Sequence, residues 1–253
     1  MTAAAHPVPG TIRWLRRLRI LALAAAIPVA GLLGFAIGTH RPTANPALPI
    51  LGTAPSYTLT NQFGRQVSSA SFRGKVQLVT FLDPYCTDTC PLVAAHLANF
   101  EHLGAGPAGI AGKIAIVAFN LDPADTGPAQ MRAFLKEYGW NPDDPRWQYL
   151  TGARAAIRRV VRDGFGVAYQ RISLSAKARS SHDGSVLPAV QPEVVNTLAK
   201  AVHRNYDIVH DDVIEIVDQE GRIRGIFENA DTVGWPRLLS VVQNLLGEQQ
   251  GAG

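Results

Sequence analysis

The sequence predicts an α/β domain behind a single apolar transmembrane helix, and three observations carry that prediction. Two nearly continuous apolar runs, Val76–Leu82 (VQLVTFL) and Ile114–Leu121 (IAIVAFNL), have the pattern of strands buried on both faces. A segment with apolar residues at helical spacing follows each run. Ahead of both lie 19 residues without a charge, Ile20–Gly38. Hydrophobic residues make up 47 % of the 253 and charged residues 17 %, a globular composition that argues against disorder.

At about 1.5 Å per residue the uncharged stretch spans roughly 28 Å, close to the ~30 Å hydrocarbon core of a bilayer. Arg13, Arg16, Arg17 and Arg19 stand just before it and only Arg41 follows closely. The positive-inside rule therefore keeps residues 1–19 in the cytoplasm and places the chain after 20–38 across the membrane. A cleaved signal peptide is the rival reading, but the apolar run exceeds the ~7–15 residues of a signal core. No cysteine accompanies the segment, which argues against a lipid anchor. Those four arginines carry the whole formal charge of +4, because the other 20 basic residues balance 20 acidic ones. The main domain thus has no nucleic-acid footprint. Beyond the membrane paired thiols can oxidise.

Residues 39–53 hold Pro42, Pro46 and Pro49 without apolar periodicity and read as a semi-extended linker. Tyr57–Thr60 and Gln66–Val67 flank Asn61-Gln62-Phe63-Gly64 as a hairpin. After the first buried strand, Pro91–Leu103 sets Leu92, His96, Leu97 and Phe100 at helical spacing. After the second, Thr126–Tyr138 is a helix with Met131, Phe134 and Leu135 on one side. Trp147–Leu150 is a short strand, and Ala153–Arg162 a helix that turns Arg158, Arg159 and Arg162 to solvent. Residues 172–206 fit the scheme poorly: a Ser/Ala/Lys-rich piece precedes a helix over Pro192–Arg204, so the stretch reads as an insertion. Val213–Val217 and Arg222–Phe227 flank Asp218–Gly221 as a second hairpin, and Pro236–Leu246 is a closing amphipathic helix. Strand–helix–strand followed by a hairpin and a terminal helix is the order of a thioredoxin-like domain, here 54–247 with an N-terminal hairpin and a flexible tail at 248–253, although the alternation alone also fits other α/β folds. There is no internal repeat.

Only two cysteines are present, which excludes a disulfide-stapled scaffold and any four-thiolate zinc or iron–sulfur site. Cys86 and Cys90 lie where the first buried strand gives way to a helix, the end of the strand at which α/β sheets place their sites. Four residues apart, the two sulfurs share one helical face and can reach one metal ion or each other. A helix N-terminus also favours the thiolate. The bland alternative is a structural disulfide, but closing so short a loop removes chain entropy worth only about 2 kcal/mol.

Several further pieces recur in an order that resembles the Sco/SenC copper proteins. Ala54–Arg65 and Phe72-Arg73-Gly74-Lys75 are similar to the opening hairpin of that family, and Cys86-x-x-x-Cys90-Pro91 to its copper motif. Asn120–Thr126, Leu150-Thr151-Gly152 and Phe165–Tyr169 follow in the family's order. The resemblance implies copper, Cu(I) or Cu(II), held by Cys86, Cys90 and a histidine just before the late hairpin. His210 occupies that place, with Val209 where the family has an acid and with Asp211 and Asp212 after it. His182 and His203 are its competitors inside the insertion. Soft thiolates with one imidazole suit Cu(I), although zinc with a fourth ligand stays open. Asp88 and Asp122 are candidates to tune the site from behind the ligands, and equally ordinary capping acids.

The same resemblance implies a factor in the bacterial plasma membrane that assists assembly of the copper centre of cytochrome c oxidase. Its partner would be the copper-bearing subunit of that oxidase. The alternative is a thiol–disulfide oxidoreductase in which Cys86 and Cys90 are a redox-active pair that reduces partner cysteines without copper. A peroxiredoxin-like reading of Thr87-x-x-Cys90-Pro91 is weaker, because Asp83 stands where that motif needs proline.

Overall fold

The structure, a computed structural model, describes residues 47–141, 143–173 and 204–250, with side chains through residue 248. The apolar segment 20–38, the two competing histidines His182 and His203, and nearly all of the expected helix Pro192–Arg204 lie outside the described residues. No helix among the described residues is long and apolar enough to cross a membrane.

The architecture is a mixed sheet covered on both faces. Its strands in chain order are β1 (Gly52–Thr53), β2 (Thr58–Asn61), β3 (Gln66–Ser68), β4 (Val76–Leu82), β5 (Ile114–Asn120), β6 (Trp147–Thr151), β9 (Val213–Val217) and β10 (Arg222–Glu228). They lie in the order β1-β10-β9-β4-β5-β6-β2-β3. β4, β5 and β6 run parallel, and β9 is antiparallel to β4. Every residue of β4 and β5 is buried, as their unbroken apolar runs predict.

Alternation along these strands splits the core in two. Leu78, Ile116 and Ile214 point to one face, where they meet Leu97, Met131, Leu135 and Leu238. Those partners belong to three helices, α1 (Thr89–Asn99), α2 (Pro128–Glu137) and α4 (Trp235–Gln250). Val79, Val117 and Phe119 point the other way, onto Ile157 of α3 (Arg154–Arg158) and onto Val160, Val161 and Phe165 beyond it. Burying one aliphatic or aromatic side chain contributes about 1.5–3 kcal/mol, so the two clusters dominate the stability of the sheet.

Three expectations shift at their edges. The linker does not run to residue 53: β1 pairs with β10, and the Arg224 guanidinium donates to the carbonyls of Leu48 and Pro49 and to the carboxylates of Asp218 and Glu248. The tail does not start at 248, because α4 continues through Gln250. On α1, Leu92 is exposed, and the buried stripe is Cys90, Val93, Ala94, Leu97 and Ala98. Hydrophobic spacing over one turn fits two overlapping stripes, and packing against the sheet selects this one.

The largest difference lies around the expected insertion. Tyr169–Ser173 (β7) and Tyr206–His210 (β8) form a separate antiparallel ribbon, with Tyr169 opposite His210 and Ser173 opposite Tyr206. The extra chain therefore leaves and re-enters through paired strands. Short alternation in YQRIS and YDIVH was too brief to be read as strand from the sequence.

Candidate metal centre

β4 ends in a tight turn that aims the chain at the site. Asp83 accepts from the Tyr85 N–H through Oδ1 at 2.9 Å, and its carbonyl accepts from the Cys86 N–H at 3.0 Å. The Tyr149 hydroxyl donates to the Leu82 carbonyl at 3.0 Å and fixes the end of the strand. Cys86 emerges from this turn partly exposed, while Cys90, in the first turn of α1, is completely buried. Pro91 fits beside it because the N–H it lacks would have no helical partner in a first turn.

His210 arrives from the other end of the chain, as the last residue of β8. Asp211 anchors the base of the ribbon: its N–H donates to the Ala168 carbonyl at 3.1 Å, and its carboxylate accepts from the Ala168 N–H at 3.0 Å. The Thr89 hydroxyl donates to the Asp212 carboxylate at 2.7 Å, tying the histidine loop to the cysteine loop. The His210 imidazole places Nδ1 3.1 Å from the Asp211 carbonyl and Nε2 3.2 Å from Cys90 Sγ. With its proton on Nδ1, donated to that carbonyl, His210 presents the Nε2 lone pair to the sulfurs, as a metal-ligating imidazole does.

One ligand atom from each of Cys86, Cys90 and His210 lies within 4.8 Å of the others. Among the described residues no other group of three or more histidines, cysteines and acids converges in this way. Cys86 and His210 open onto a small cleft of about 150 Å³ shared with Thr87, Asp88 and Val209, and Cys90 lies buried behind them. Two sulfurs and one imidazole nitrogen, without a fourth converging ligand, fit a soft ion of low coordination number better than tetrahedral zinc.

The two thiols differ sharply. Hydrogen bonding from the Cys90 thiol, opposed by burial and aided by His210 and the backbone N–H groups of Asp88 and Cys90, brings the Cys86 pKa down to about 4. Burial holds the Cys90 pKa well above its usual value, and the neighbouring Cys86 thiolate adds to this. Burial works against a charge on His210, but the Cys86 thiolate, the Asp211 carbonyl and Asp212 outweigh it and raise its pKa.

Asp88 caps α1 without a side-chain hydrogen bond, and Asp122 turns inward to a network the sequence did not disclose. Arg204 pairs with Asp83 at 2.9 Å and with Asp122 at 2.8 Å, and the Tyr206 hydroxyl donates to Asp122 at 2.6 Å. The Asp83 N–H in turn points at Cys90 Sγ at 3.5 Å. The network thus braces the cysteine turn from below. Asp83 was legible only as an acid before a proline, and Arg204 carried no local signal at all.

The SCO1/SenC family model matches residues 51–245. A curated SCO1 protein homolog from Bacillus subtilis (strain 168) is 32 % identical over 97 residues, 38 % of this chain and 47 % of the relative. The chain therefore spans about half the length of that relative. BsSco, a member of the Sco family of cytochrome c oxidase assembly proteins in which a disulfide switch was identified, superposes with a TM-score of 0.56 at 20 % identity, covering 79 % of this chain and 98 % of its own. Arabidopsis thaliana ScoI with copper bound superposes with a TM-score of 0.56 at 18 % identity, covering 77 % and 99 %. At these identities the superpositions show a shared fold, and that fold is the thioredoxin-type α/β architecture described above.

Proposed function

The chain belongs to the SCO1/SenC family, and from that membership we propose that it takes up copper on Cys86, Cys90 and His210 and assists assembly of the copper centre of cytochrome c oxidase. The observation that carries this reading is the convergence of two sulfurs and one imidazole nitrogen from opposite ends of the domain. Copper is the metal bound to the Arabidopsis relative, and BsSco belongs to a family of cytochrome c oxidase assembly proteins. Copper is here a cargo. Thiolates that bind Cu(I) in low coordination leave room for an incoming thiolate of the oxidase's copper-bearing subunit, so transfer proceeds by ligand exchange without turnover. The uncharged segment 20–38 supplies the membrane tether, with the domain on the extracytoplasmic side.

The inequality of the two thiols supports a second use of the same pair. Cys86, a thiolate at neutral pH, attacks a partner disulfide and releases one partner thiolate, which takes a proton. Cys90 then loses its proton and attacks the Cys86 sulfur of the mixed disulfide, releasing the second partner thiol. Two electrons pass to the partner and the pair ends as a disulfide. Cysteines reduced in this way are ready to accept copper, and once an external dithiol has re-reduced Cys86 and Cys90 the pair can carry copper to them, so the two readings are compatible.

An anaerobic Cu(I) titration of the reduced full-length protein, beside a His210→Ala variant, tests the proposal. One copper bound tightly per chain, weakened at least about tenfold in the variant, supports copper uptake on three ligands. Absence of tight binding, with Cys86 and Cys90 still cycling between dithiol and disulfide, leaves the reductase alone.

A further inference from the structure

A second, larger cleft of about 510 Å³ lies beside the metal centre, between the base of the β7–β8 ribbon and the edge formed by β9 and β10. This is within the range of roughly 300–1,000 Å³ typical of pockets that enclose a ligand. Four of the residues that line it are acidic, Asp211, Asp212, Glu215 and Glu228, and none is basic. Asp211 and Asp212 are held in place by the Ala168 N–H and the Thr89 hydroxyl, whereas Glu228 is exposed.

Glu215 is the unusual member. It sits in the middle of β9, 1 % exposed, on the face that carries Val213 and Val217, and its Oε2 has no hydrogen-bond partner. A buried carboxyl without a donor is costly unless a positive group reaches it. No lysine or arginine of the described residues does so. The carboxylates do not converge on a point: they form no cluster of metal-binding geometry, unlike Cys86, Cys90 and His210. A bare divalent ion therefore matches the cleft poorly. A planar cation with several divergent donors matches it well. Phe165, Val167 and the half-exposed Ile226 supply an apolar wall for the stem of such a side chain.

We propose that this cleft receives an arginine side chain of a docking protein, with Glu215 at its floor and Asp211, Asp212 and Glu228 around its head. Asp212 lines both this cleft and the cleft of the metal centre, so a partner seated here has its neighbouring residues against Cys86 and His210. In naming what the partner offers, the inference rests on the assembly reading above, but binding in the cleft needs no copper.

The test uses full-length, copper-free protein and the fluorescein-labelled peptide acetyl-Gly-Arg-Arg-Gly-amide, with acetyl-Gly-Glu-Glu-Gly-amide as its counterpart. The expected result is a saturable rise in anisotropy for the arginine peptide alone, with the Kd weakened at least about fivefold in Glu215→Gln and in the exposed-site variant Glu228→Gln. No saturable rise overturns the proposal, and so does equal affinity in both variants. Displacement of the peptide by micromolar calcium chloride also overturns it, by making the cleft an ion site. Copper titration of the wild-type protein separates the two readings: peptide binding by a wild type that takes up no copper sinks the copper proposal and leaves the docking cleft standing.

Discussion

His210 Nε2 stands 3.2 Å from Cys90 Sγ although 120 residues separate them in the chain. The cysteine comes from the start of α1 and the histidine from the end of the β7–β8 ribbon, so the contact exists only in the folded domain. It sets the imidazole against the cysteine pair, where His210 is also among the groups that lower the Cys86 pKa.

The first prediction concerns that acidity. With a pKa of about 4, Cys86 is a thiolate throughout the neutral range, whereas buried Cys90 is not. Alkylation by iodoacetamide should modify Cys86 first, at a rate flat from pH 6 to 8 and falling only as pH drops toward about 4. In His210→Ala the loss of one stabilising hydrogen bond should move the fall to higher pH. Mass spectrometry of the singly alkylated protein checks both points, and equal modification of the two cysteines would contradict the assignment.

The second prediction tests the brace. Asp83 and Asp122 are almost fully buried, and Arg204 is the cation that compensates them. Arg204→Ala should lower stability by about 3–5 kcal/mol, because it strands two carboxylates rather than because the pair itself is strong. Adding Asp83→Asn to that variant should recover part of the loss, as urea denaturation of the single and double variants would show. Additive losses would mean that the network does not act as a unit.

Much of this domain was readable in advance because its signals are local. VQLVTFL and IAIVAFNL have the pattern of doubly buried strands, Asp218–Gly221 announces its turn, and the Cys-x-x-x-Cys spacing at a strand end marks the site. His210 was reached through the resemblance to the Sco/SenC proteins, which implies a histidine just before the late hairpin. What escaped is long-range. Nothing near Arg204 indicates that it spans Asp83 and Asp122, and β8 shows only a short alternation whose partner lies across the extra chain. Glu215 was hidden for the opposite reason: VIEIV reads as a buried strand so strongly that its one acid goes unnoticed.

Two close approaches of glycines to the N-terminal segment give a third prediction. A Cβ on Gly164 would come within 2.6 Å of the Pro55 ring, and one on Gly152 within 2.8 Å of Leu59 Cδ2. The pyrrolidine ring cannot move aside, whereas a terminal methyl can swing away by changing its rotamer. Gly164→Ala should therefore cost about 1–3 kcal/mol and Gly152→Ala less. Urea midpoints of the two variants check the order, and the reverse order would show that the Pro55 segment yields easily.

The last prediction follows from the buried acid in the second cleft. Burial raises the Glu215 pKa from 4.5 to about 7. Between those values the native state keeps a proton that the unfolded chain has already released, so stability falls as pH rises through this window. Above about 7 both states have lost it and the dependence flattens, after a change on the order of 3 kcal/mol. Glu215→Gln removes the titration, and its denaturation midpoint should vary less between pH 5 and 7 than that of the wild type. A bound arginine peptide should act in the same direction on the wild type, since a cation beside the carboxylate favours its charged form and lowers its pKa. Parallel pH profiles for wild type and variant would show that Glu215 already ionises freely, and with that the claim of a carboxyl awaiting a partner would fail.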